Sequence, residues 1–450
     1  MDFIPVGDED RREMLSAIGA ATFDDLLSDI PPEVRLRGKL RLPPPLSELE
    51  ARRYLEAIAA RNAPVNQWLS FLGGGAYDHF VPAVVDEISS RAEFYTAYTP
   101  YQPEVSQGTL QTIYEYQSLI ARLTGMEISN ASLYDGGTAI AEAVLMANAA
   151  NRRTEVVASG CINPMRLAVL DTYLEASGIT VHRTGWKSGA TELDEVTALV
   201  TDKTGCVLVE NPNFFGVVEQ CRKLAAVAHQ KGALFIVSVD PVSLGVLAPP
   251  SEYGADIVVG EGQPLGNYLS FGGPYLGFMA THKEHIRRLP GRIVGKTVDT
   301  KGRPCYCLTL QTREQHIRRE KATSNICSNQ ALVALRAAVH LCWLGKDGMR
   351  ELATQCLSKA VYAQRALAKR GLQLRFRQPC FKEFAVSLPV DAEVVVSRLF
   401  GERILAGVPL GRFYPEASHL LLIAVTEKRT REEIDRLADC LADVVRGEVA

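Results

Sequence analysis

A glycine-rich loop lies between two predicted strands in 256-DIVVGEGQPLGNYLSFGGPYLGFMA-280. The strands are predicted over residues 256–259 and 275–281, where apolar and β-branched side chains dominate. The residues between them include Gly260, Gly262, Gly266, Gly272, Gly273, Pro264 and Pro274. These glycines and prolines disfavour a helix and let the backbone approach a ligand or a neighbouring chain closely. The stretch therefore predicts an active-site loop.

This loop carries few groups that could catalyse a reaction. It contains no lysine, cysteine or histidine, and its titratable side chains are those of Asp256, Glu261, Tyr268 and Tyr275. The first lysine after Asp240 is Lys283, which lies beyond the loop and beyond the strand that follows it. The loop has the shape of an active site but little of the chemistry.

Helical and strand patterns alternate on the amino-terminal side of the loop. Helices are predicted over residues 112–123, 139–150, 165–176, 193–200 and 218–230, and strands over 155–158, 179–183, 206–209 and 234–239. Strands that are apolar on both faces and alternate with helices indicate a mainly parallel sheet covered on each side. The predicted fold class is therefore α/β, with a large domain over residues 66–301.

Two further parts flank the large domain. Residues 1–65 are predicted to form a helical N-terminal arm, in which Ser47 caps a helix and Glu50 completes a capping box. The arm cannot build a core of its own, so it is expected to wrap a neighbouring subunit or the main domain. A loosely attached surface arm is the alternative. Residues 302–450 are predicted to form a smaller C-terminal α/β domain.

Composition excludes several classes of protein. The chain has 450 residues, of which 47% are hydrophobic and 22% charged, so a globular protein with two or three subdomains is expected. A net charge of −3 gives no general attraction to nucleic acid or to anionic membranes. The N-terminus lacks a secretory signal, and no run approaches the ~20 apolar residues of a membrane span. The ten cysteines lack a disulfide framework, which favours reduced thiols and a cytoplasmic location.

Two local clusters each have two interpretations. Cys305 and Cys307 could be a metal pair, but no second pair follows, so two ordinary thiols are favoured and no metal site is assigned. A basic patch consists of Arg313, His316, Arg318, Arg319 and Lys321. This patch could meet an acidic carrier protein or a substrate carboxylate. It could equally be a solvated helix face whose charges are paired with Glu314 and Glu320.

Three features are expected at the carboxyl ends of the parallel strands, where such sheets bind ligands. They are Gly136-Gly137-Thr138, Asn211-Pro212-Asn213 and Asp240. In this order they resemble a fold-type-I pyridoxal-phosphate (PLP) enzyme. In that family a phosphate loop precedes a strand-end aspartate that pairs with the pyridinium nitrogen, and a later lysine forms the Schiff base. Because no lysine follows at the expected place, the chain is predicted not to hold PLP by itself.

Five longer runs make the resemblance specific. They are residues 71–82, 94–111, 132–142, 256–280 and 308–330. The chain resembles the glycine decarboxylase (P-protein) of the glycine cleavage system. Within the two-subunit form of that family it resembles subunit 1, the half without the PLP lysine. When Gly272-Gly273-Pro274 is aligned with the glycine-rich turn of the lysine-bearing half, the lysine position falls on Gln263.

The resemblance implies a heteromeric enzyme. Its complex binds glycine through PLP, releases CO2 and transfers the aminomethyl group to the lipoyl arm of H-protein. The expected partners are the lysine-bearing subunit 2, which holds PLP covalently, and lipoylated H-protein, with neither nucleic acid nor membrane involved. No catalytic or covalent cofactor role is expected for this chain. Gln263 is the vestigial lysine position, Asp240 is the vestigial pyridine-pairing position, and Tyr95, Tyr98 and Tyr101 are expected to line a pocket or an interface.

Two other functions stay open from the sequence. The chain could be a self-sufficient PLP-dependent transferase or lyase that uses a displaced amine such as Lys283 or Lys296. It could also be a cofactor-free binding scaffold with an unrelated partner.

Overall fold

A computed structural model of the chain describes residues 5–36, 38, 40–326 and 328–449. The chain divides into two compact units, Met1–Asn62 and Ala63–Ala450. Within the described ranges, no helix has the length and apolar character that a membrane crossing requires.

The first unit is helical. It contains α1 (Asp8–Ala17), a 3-10 turn (Phe23–Leu27) and α2 (Glu48–Ala59). The predicted capping box at the start of α2 is confirmed, because the Glu50 backbone N–H donates to Ser47 Oγ (3.3 Å) and the Ser47 N–H donates to Glu50 Oε2 (2.9 Å). No side chain of these three segments is buried. Among its described residues the unit therefore has local hydrogen bonds but no core.

Seven strands form a large sheet in the second unit. In chain order they are β1 (Ile128–Ser129), β2 (Glu155–Ala158), β3 (Thr180–Arg183), β4 (Thr204–Asn211), β5 (Leu234–Val239), β6 (Ile257–Glu261) and β7 (Gly277–Thr281). Their order across the sheet is β1-β7-β6-β5-β4-β2-β3. Strands β2 to β6 run parallel, whereas β7 is antiparallel to both of its neighbours. The predicted α/β class with a mainly parallel sheet is confirmed, and the sheet has seven strands.

Helices cover both faces of this sheet. The helices between residues 83 and 230 are α3 (Ala83–Ser89), α4 (Ala92–Tyr95), α5 (Gln107–Thr124), α6 (Gly136–Asn151), α7 (Pro164–Leu174), α8 (Leu193–Leu199) and α9 (Cys221–Gln230). Successive residues of a strand point to opposite faces. Accordingly Phe235 and Val237 pack in one apolar cluster, and Ile236 packs in another. This explains why the central strands contain runs of consecutive apolar residues, such as 234–237.

The remaining elements follow the large sheet in the chain. A hairpin of β8 (Ile293–Val298) and β9 (Pro304–Thr309) leads to α10 (Gln315–Arg318) and the long helix α11 (Ala331–Lys369), which is broken at Gly345. Then come β10 (Gln373–Leu374), β11 (Glu383–Ser387), α12 (Ala392–Gly401), β12 (Val408–Pro409), β13 (Leu420–Ala424) and α13 (Arg431–Val449). Strands β10 to β13 form an antiparallel sheet in the order β10-β11-β13-β12. The predicted boundary between residues 301 and 302 falls in the turn of the hairpin and stays a prediction.

Candidate functional site

Buried charged side chains gather where the carboxyl ends of β4, β5 and β6 meet. Glu210 lies near the end of β4, Asp240 follows β5 directly, and Glu261 is the last residue of β6. The loop that carries Tyr77 and the residue before β11, Lys382, reach the same place. Because doubly wound sheets bind ligands at this edge, the cluster is the candidate functional site.

The cavity among these side chains is small. Its volume is about 20 Å³. A single water needs ~10–15 Å³, so the cavity has room for a water molecule but not for an organic ligand. Its walls include Gly75, Arg166, Glu210, Asp240, Glu261 and Glu383.

Gln263, the predicted lysine position, is fully buried and uses its whole amide within the chain. Its Oε1 accepts from the backbone N–H of Tyr77 (2.9 Å), and its Nε2 donates to the carbonyls of Tyr77 (3.0 Å) and Asn267 (2.8 Å). The backbone N–H of Gln263 donates to Glu261 Oε1 (2.9 Å). A buried amide with every contact satisfied is a structural element of the site.

Asp240, the predicted pyridine-pairing position, forms an ion pair with a lysine that the sequence analysis missed. Lys382 Nζ lies 2.8 Å from Asp240 Oδ2, and the other carboxylate oxygen accepts from the backbone N–H of Val242 (3.1 Å). The ammonium also stands 3.5 Å from the centre of the Tyr77 ring and 3.0 Å from His79 Nε2. Only 2% of the Lys382 side chain is exposed. The carboxylate therefore holds an internal cation.

A hydrogen-bonded chain continues from Lys382 toward the C-terminal part. His79 Nδ1 lies 2.6 Å from Glu427 Oε2, and Glu427 Oε1 accepts from the Phe80 N–H. Burial acts to raise the pKa of Glu427, but its interactions with His79 and its hydrogen bond from the Phe80 N–H outweigh burial and lower that pKa to about 2. His79, Glu427 and Cys356 lie close enough together to resemble a metal site. Their ligand atoms are already hydrogen-bonded to one another or to Lys382.

The start of α6, the predicted phosphate-binding place, is occupied by a carboxylate of the chain. The N–H of Gly136 donates to Glu261 Oε2 (2.9 Å). The other oxygen, Oε1, accepts from the N–H of Leu276 (2.9 Å) as well as from that of Gln263. Burial raises the pKa of Glu261. An anion at a helix N-terminus satisfies a free backbone donor there, and in this chain Glu261 is that anion.

The other predicted strand-end features also form internal contacts. Asn213 donates to Glu219 Oε1 (2.7 Å) and to the carbonyl of Gly189 (2.9 Å), and Asn211 Oδ1 accepts from the Glu219 N–H (3.0 Å). Arg166 of α7 pairs with Glu210. The amides and charges on this side of the cavity are thus paired with one another.

Tyr95, Tyr98 and Tyr101 lie away from this cavity and face outward. Tyr98 is 85% exposed, Tyr95 67% and Tyr101 50%. The Tyr101 hydroxyl accepts from Arg292 Nη2 (3.1 Å), so this ring has a fixed position. The tip of the glycine-rich loop is exposed as well, since Phe271 is 92% exposed and has φ of 53°. The structure places these aromatic residues on the surface and does not bring them to Gln263 or Asp240.

The basic patch does not act as one surface. Arg313 is buried, and its guanidinium donates to the carbonyls of Leu289, Gly291 and Leu310. Burial lowers the pKa of Arg313. Arg318 Nε donates to the Thr312 carbonyl (3.1 Å). At least two of the five basic residues therefore hold the backbone together.

Two lysines that a self-sufficient PLP-dependent enzyme could use, Lys283 and Lys296, lie on the surface. Lys283 pairs with Glu127 at 3.7 Å with 74% of its side chain exposed, and Lys296 is exposed on β8. Lys382 is the amine that stands at the site. The local sequence around Lys382 does not indicate a partner as distant in the chain as Asp240.

Comparison with known proteins identifies the family. The family model described as glycine cleavage system P-protein matches residues 1–441. The chain belongs to the glycine cleavage system P-protein family. The family resemblance found in the sequence is confirmed.

Members of this P-protein family similar to the chain match over nearly their whole length. One from Chlorobium limicola is 53% identical over 444 residues, covering 98% of this chain and 100% of the relative. One from Carboxydothermus hydrogenoformans is 52% identical and covers 98% and 99%. Both carry the name probable glycine dehydrogenase (decarboxylating) subunit 1.

Solved structures agree with the P-protein assignment. A crystal structure of glycine decarboxylase (P-protein) of the glycine cleavage system, in inhibitor-bound form, is 45% identical with a TM-score of 0.92 and covers 99% of this chain and 100% of that one. A cysteine desulfurase from Thermococcus onnurineus is 14% identical with a TM-score of 0.64, covering 85% of this chain and 96% of that one. The second likeness shows a shared fold alone.

The residues at this edge of the P-protein sheet do not fit pyridoxal phosphate, the cofactor that the family resemblance implies for the complex. A cavity of about 20 Å³ does not admit it. A carboxylate already binds at Gly136, an ammonium already binds Asp240, and the Gln263 amide stands at the predicted lysine position. Side chains of the chain itself thus occupy both the position for the cofactor's anionic group and the position for its cationic group.

Proposed function

We propose that this chain is the non-lysine-bearing subunit 1 of a heteromeric glycine decarboxylase. The complex would take glycine as its substrate, release CO2 and pass the aminomethyl group to the lipoyl arm of H-protein. The chain itself would complete the assembly without forming a covalent bond to the cofactor. The names of the relatives support this proposal, since they describe a subunit 1 of glycine dehydrogenase.

One observation carries the proposal. The position aligned with the Schiff-base lysine is Gln263, and its amide is bonded to Tyr77 and Asn267. A carboxamide cannot form a Schiff base, because that bond requires a primary amine. The Lys382 amine does not replace it, because its ammonium is paired with Asp240.

The cofactor and partners of the complex follow from this reading. Pyridoxal phosphate would be held covalently by subunit 2, the lysine-bearing partner, and lipoylated H-protein would visit the complex as acceptor. We place Tyr95, Tyr98 and Tyr101 on the surface that lines the partner's pocket or the subunit interface. Their exposure in the single chain supports this, since aromatic side chains are enriched at interfaces. We also place the protein in the cytoplasm.

Glycine-dependent CO2 exchange tests the proposal. The assay contains H-protein and pyridoxal phosphate with this chain alone, with the lysine-bearing partner alone, or with both. Activity is expected only in the mixture. Activity of this chain alone would mean that another amine carries the cofactor. Full activity of the partner alone would mean that this chain is not a required subunit.

A further inference from the structure

We propose that Lys382 is a built-in ligand of the candidate site, with its ammonium in the place where enzymes of this fold hold the cofactor's pyridinium group. The inference goes beyond the role of Gln263, which explains why no Schiff base forms but not what fills the site. It concerns side chains of this chain alone and does not depend on the proposed function.

The surroundings of the ammonium are those of a bound organic cation. Asp240 offers a carboxylate oxygen at 2.8 Å, His79 offers a ring nitrogen at 3.0 Å, and the Tyr77 ring lies 3.5 Å away. A carboxylate together with an aromatic face is a combination that recognises ammonium groups. Because Lys382 is almost fully buried, removing its side chain would leave the largely buried Asp240 charge without its cation.

Two other side chains complete the replacement of the cofactor. Glu261 binds the Gly136 N–H at the phosphate position, and the Gln263 amide stands at the amine position. The anion, the cation and the linking group of the bound cofactor thus each have a counterpart in the chain. These three residues exclude pyridoxal phosphate at three separate points.

The internal ligand also joins two sheets. Asp240 follows β5 of the large sheet, whereas Lys382 precedes β11 of the C-terminal sheet. A ligand that is part of the chain is held at its site at high effective concentration. The chain therefore holds the two sheets together through this site without any cofactor.

Chemical rescue of a Lys382→Ala variant of the full chain tests the inference. The variant is expected to melt about 5 °C below the wild type, because breaking a buried ion pair leaves an uncompensated charge. n-Propylammonium chloride replaces the atoms that the substitution removes. It is expected to restore the melting temperature of the variant in a saturable way, with no such effect on the wild type. Sodium chloride at equal concentration controls for ionic strength.

The double variant Asp240→Asn/Lys382→Ala is the matched control. It is expected to be more stable than Lys382→Ala and to show no saturable response to n-propylammonium, because the carboxylate is gone. Equal rescue of both variants, or melting of Lys382→Ala within about 1 °C of the wild type, would overturn the inference. If Lys382→Ala does not fold, a folded double variant supports the inference, and an unfolded one contradicts it.

A labelling experiment provides an independent measurement. The full wild-type chain is incubated with pyridoxal phosphate, treated with borohydride and mapped by peptide mass spectrometry. No reduced adduct is expected at Lys382, because its ammonium is bound inside the chain. An adduct on Lys382 would show that the site admits the cofactor and would overturn the inference, whatever the CO2-exchange assay shows.

Discussion

Glu383 is buried and Glu427 is partly buried, and the pKa values of these two carboxyls shift in opposite directions. Burial raises the pKa of Glu383 to about 7, although Tyr77 and Gly74 donate hydrogen bonds to it and Lys382 lies nearby; the charge of Asp240 adds to the rise. The pKa of Glu427 falls to about 2 because its interactions with His79 and the Phe80 N–H outweigh the effect of burial. The surroundings of Glu383 thus disfavour its ionised form, whereas those of Glu427 favour it.

The substitution Glu383→Gln tests the raised pKa. The folded carboxyl has a pKa of about 7 against an ordinary value of 4.5, so it binds its proton more tightly than the unfolded one. The stability that Glu383 contributes is therefore present at low pH and falls as the pH rises from 4.5 to about 7. Glu383→Gln should remove this fall, which amounts to about 3 kcal/mol at most. Urea unfolding at both ends of this pH range measures it.

Glu427→Gln is the control for this measurement. The stability that Glu427 contributes is present above its unfolded pKa of 4.5 and is lost only as the pH falls toward 2. Glu427→Gln should lower the free energy of unfolding by a constant amount between pH 4.5 and about 7, and leave the slope of this free energy against pH unchanged. An unchanged slope in Glu383→Gln would show that this carboxyl ionises normally.

Some single residues of the site could be predicted from the sequence, and some could not. Asp240 and Gln263 were found because each occupies a defined place in the order of a known fold. Lys382 was missed, because pairing between a strand end and a distant lysine depends on how the two sheets pack. Glu261 was noticed as a titratable group of the loop, but its contact with Gly136 requires the three-dimensional fold.

At the scale of elements, β7 crosses tightly over the start of α6. The Leu133 N–H donates to the Gly277 carbonyl (2.7 Å), and a Cβ added at Gly277 would lie 2.3 Å from the Asp135 carbonyl oxygen. Asp135 caps α6 through the Thr138 N–H (2.7 Å), so the cap and the strand have to fit each other. Only glycine allows this approach.

Replacing Gly277 with alanine should therefore destabilise the chain. Gly277→Ala is expected to lower the free energy of unfolding by about 3 kcal/mol, because the backbone of Asp135 has no free space to move into. Gly108→Ala in α5 is the control, since a Cβ there meets nothing within 4 Å. This variant should be neutral or more stable by up to about 1 kcal/mol. Equal unfolding midpoints in urea for both variants would contradict the tight crossing.

Periodic patterns predict long elements better than short ones. The predicted strands at 155–158 and 234–239 match β2 and β5, because buried β-branched runs leave a clear signal. The strand β1 and the hairpin of β8 and β9 were not predicted. β1 has two residues, too few to show any period, and β8 is buried only at its first two positions.

At the scale of the whole second unit, one loop holds the two sheets together. Tyr77 contacts Gln263 of the large sheet region and Glu383 of β11. The neighbouring Asp78 pairs with Lys428 (2.6 Å) and Arg429 (3.3 Å) beyond β13. This explains the run at 71–82, which the sequence shows as an unusual glycine-rich and polar segment. Its side chains are contact points between sheets.

The first unit, Met1–Asn62, exposes many large apolar side chains. Its large apolar side chains that are exposed include Met14, Ile18, Phe23, Leu26, Ile30, Val34, Leu36, Leu40, Leu42, Leu46, Leu49, Tyr54, Leu55 and Ile58. So many exposed apolar residues in a unit without a core indicate a surface that a partner covers. Since the proposed function requires a second subunit, we expect this unit to bind it.

Two matched triple variants of α2 in the full chain test this expectation. Tyr54→Ala/Leu55→Ala/Ile58→Ala removes apolar side chains from one face, and Arg52→Ala/Arg53→Ala/Glu56→Ala removes charges from the opposite face. Alanine preserves the helix in both. The apolar variant should raise the dissociation constant for the lysine-bearing subunit at least about tenfold, because each buried apolar side chain contributes about 1 kcal/mol or more. The charged variant should bind within about threefold of the wild type.

Analytical ultracentrifugation of the mixed subunits measures both dissociation constants. Unfolding of each variant in urea should be unchanged, because no α2 side chain is buried in the chain. Equal affinity of the two variants would mean that this face stays exposed in the assembled enzyme.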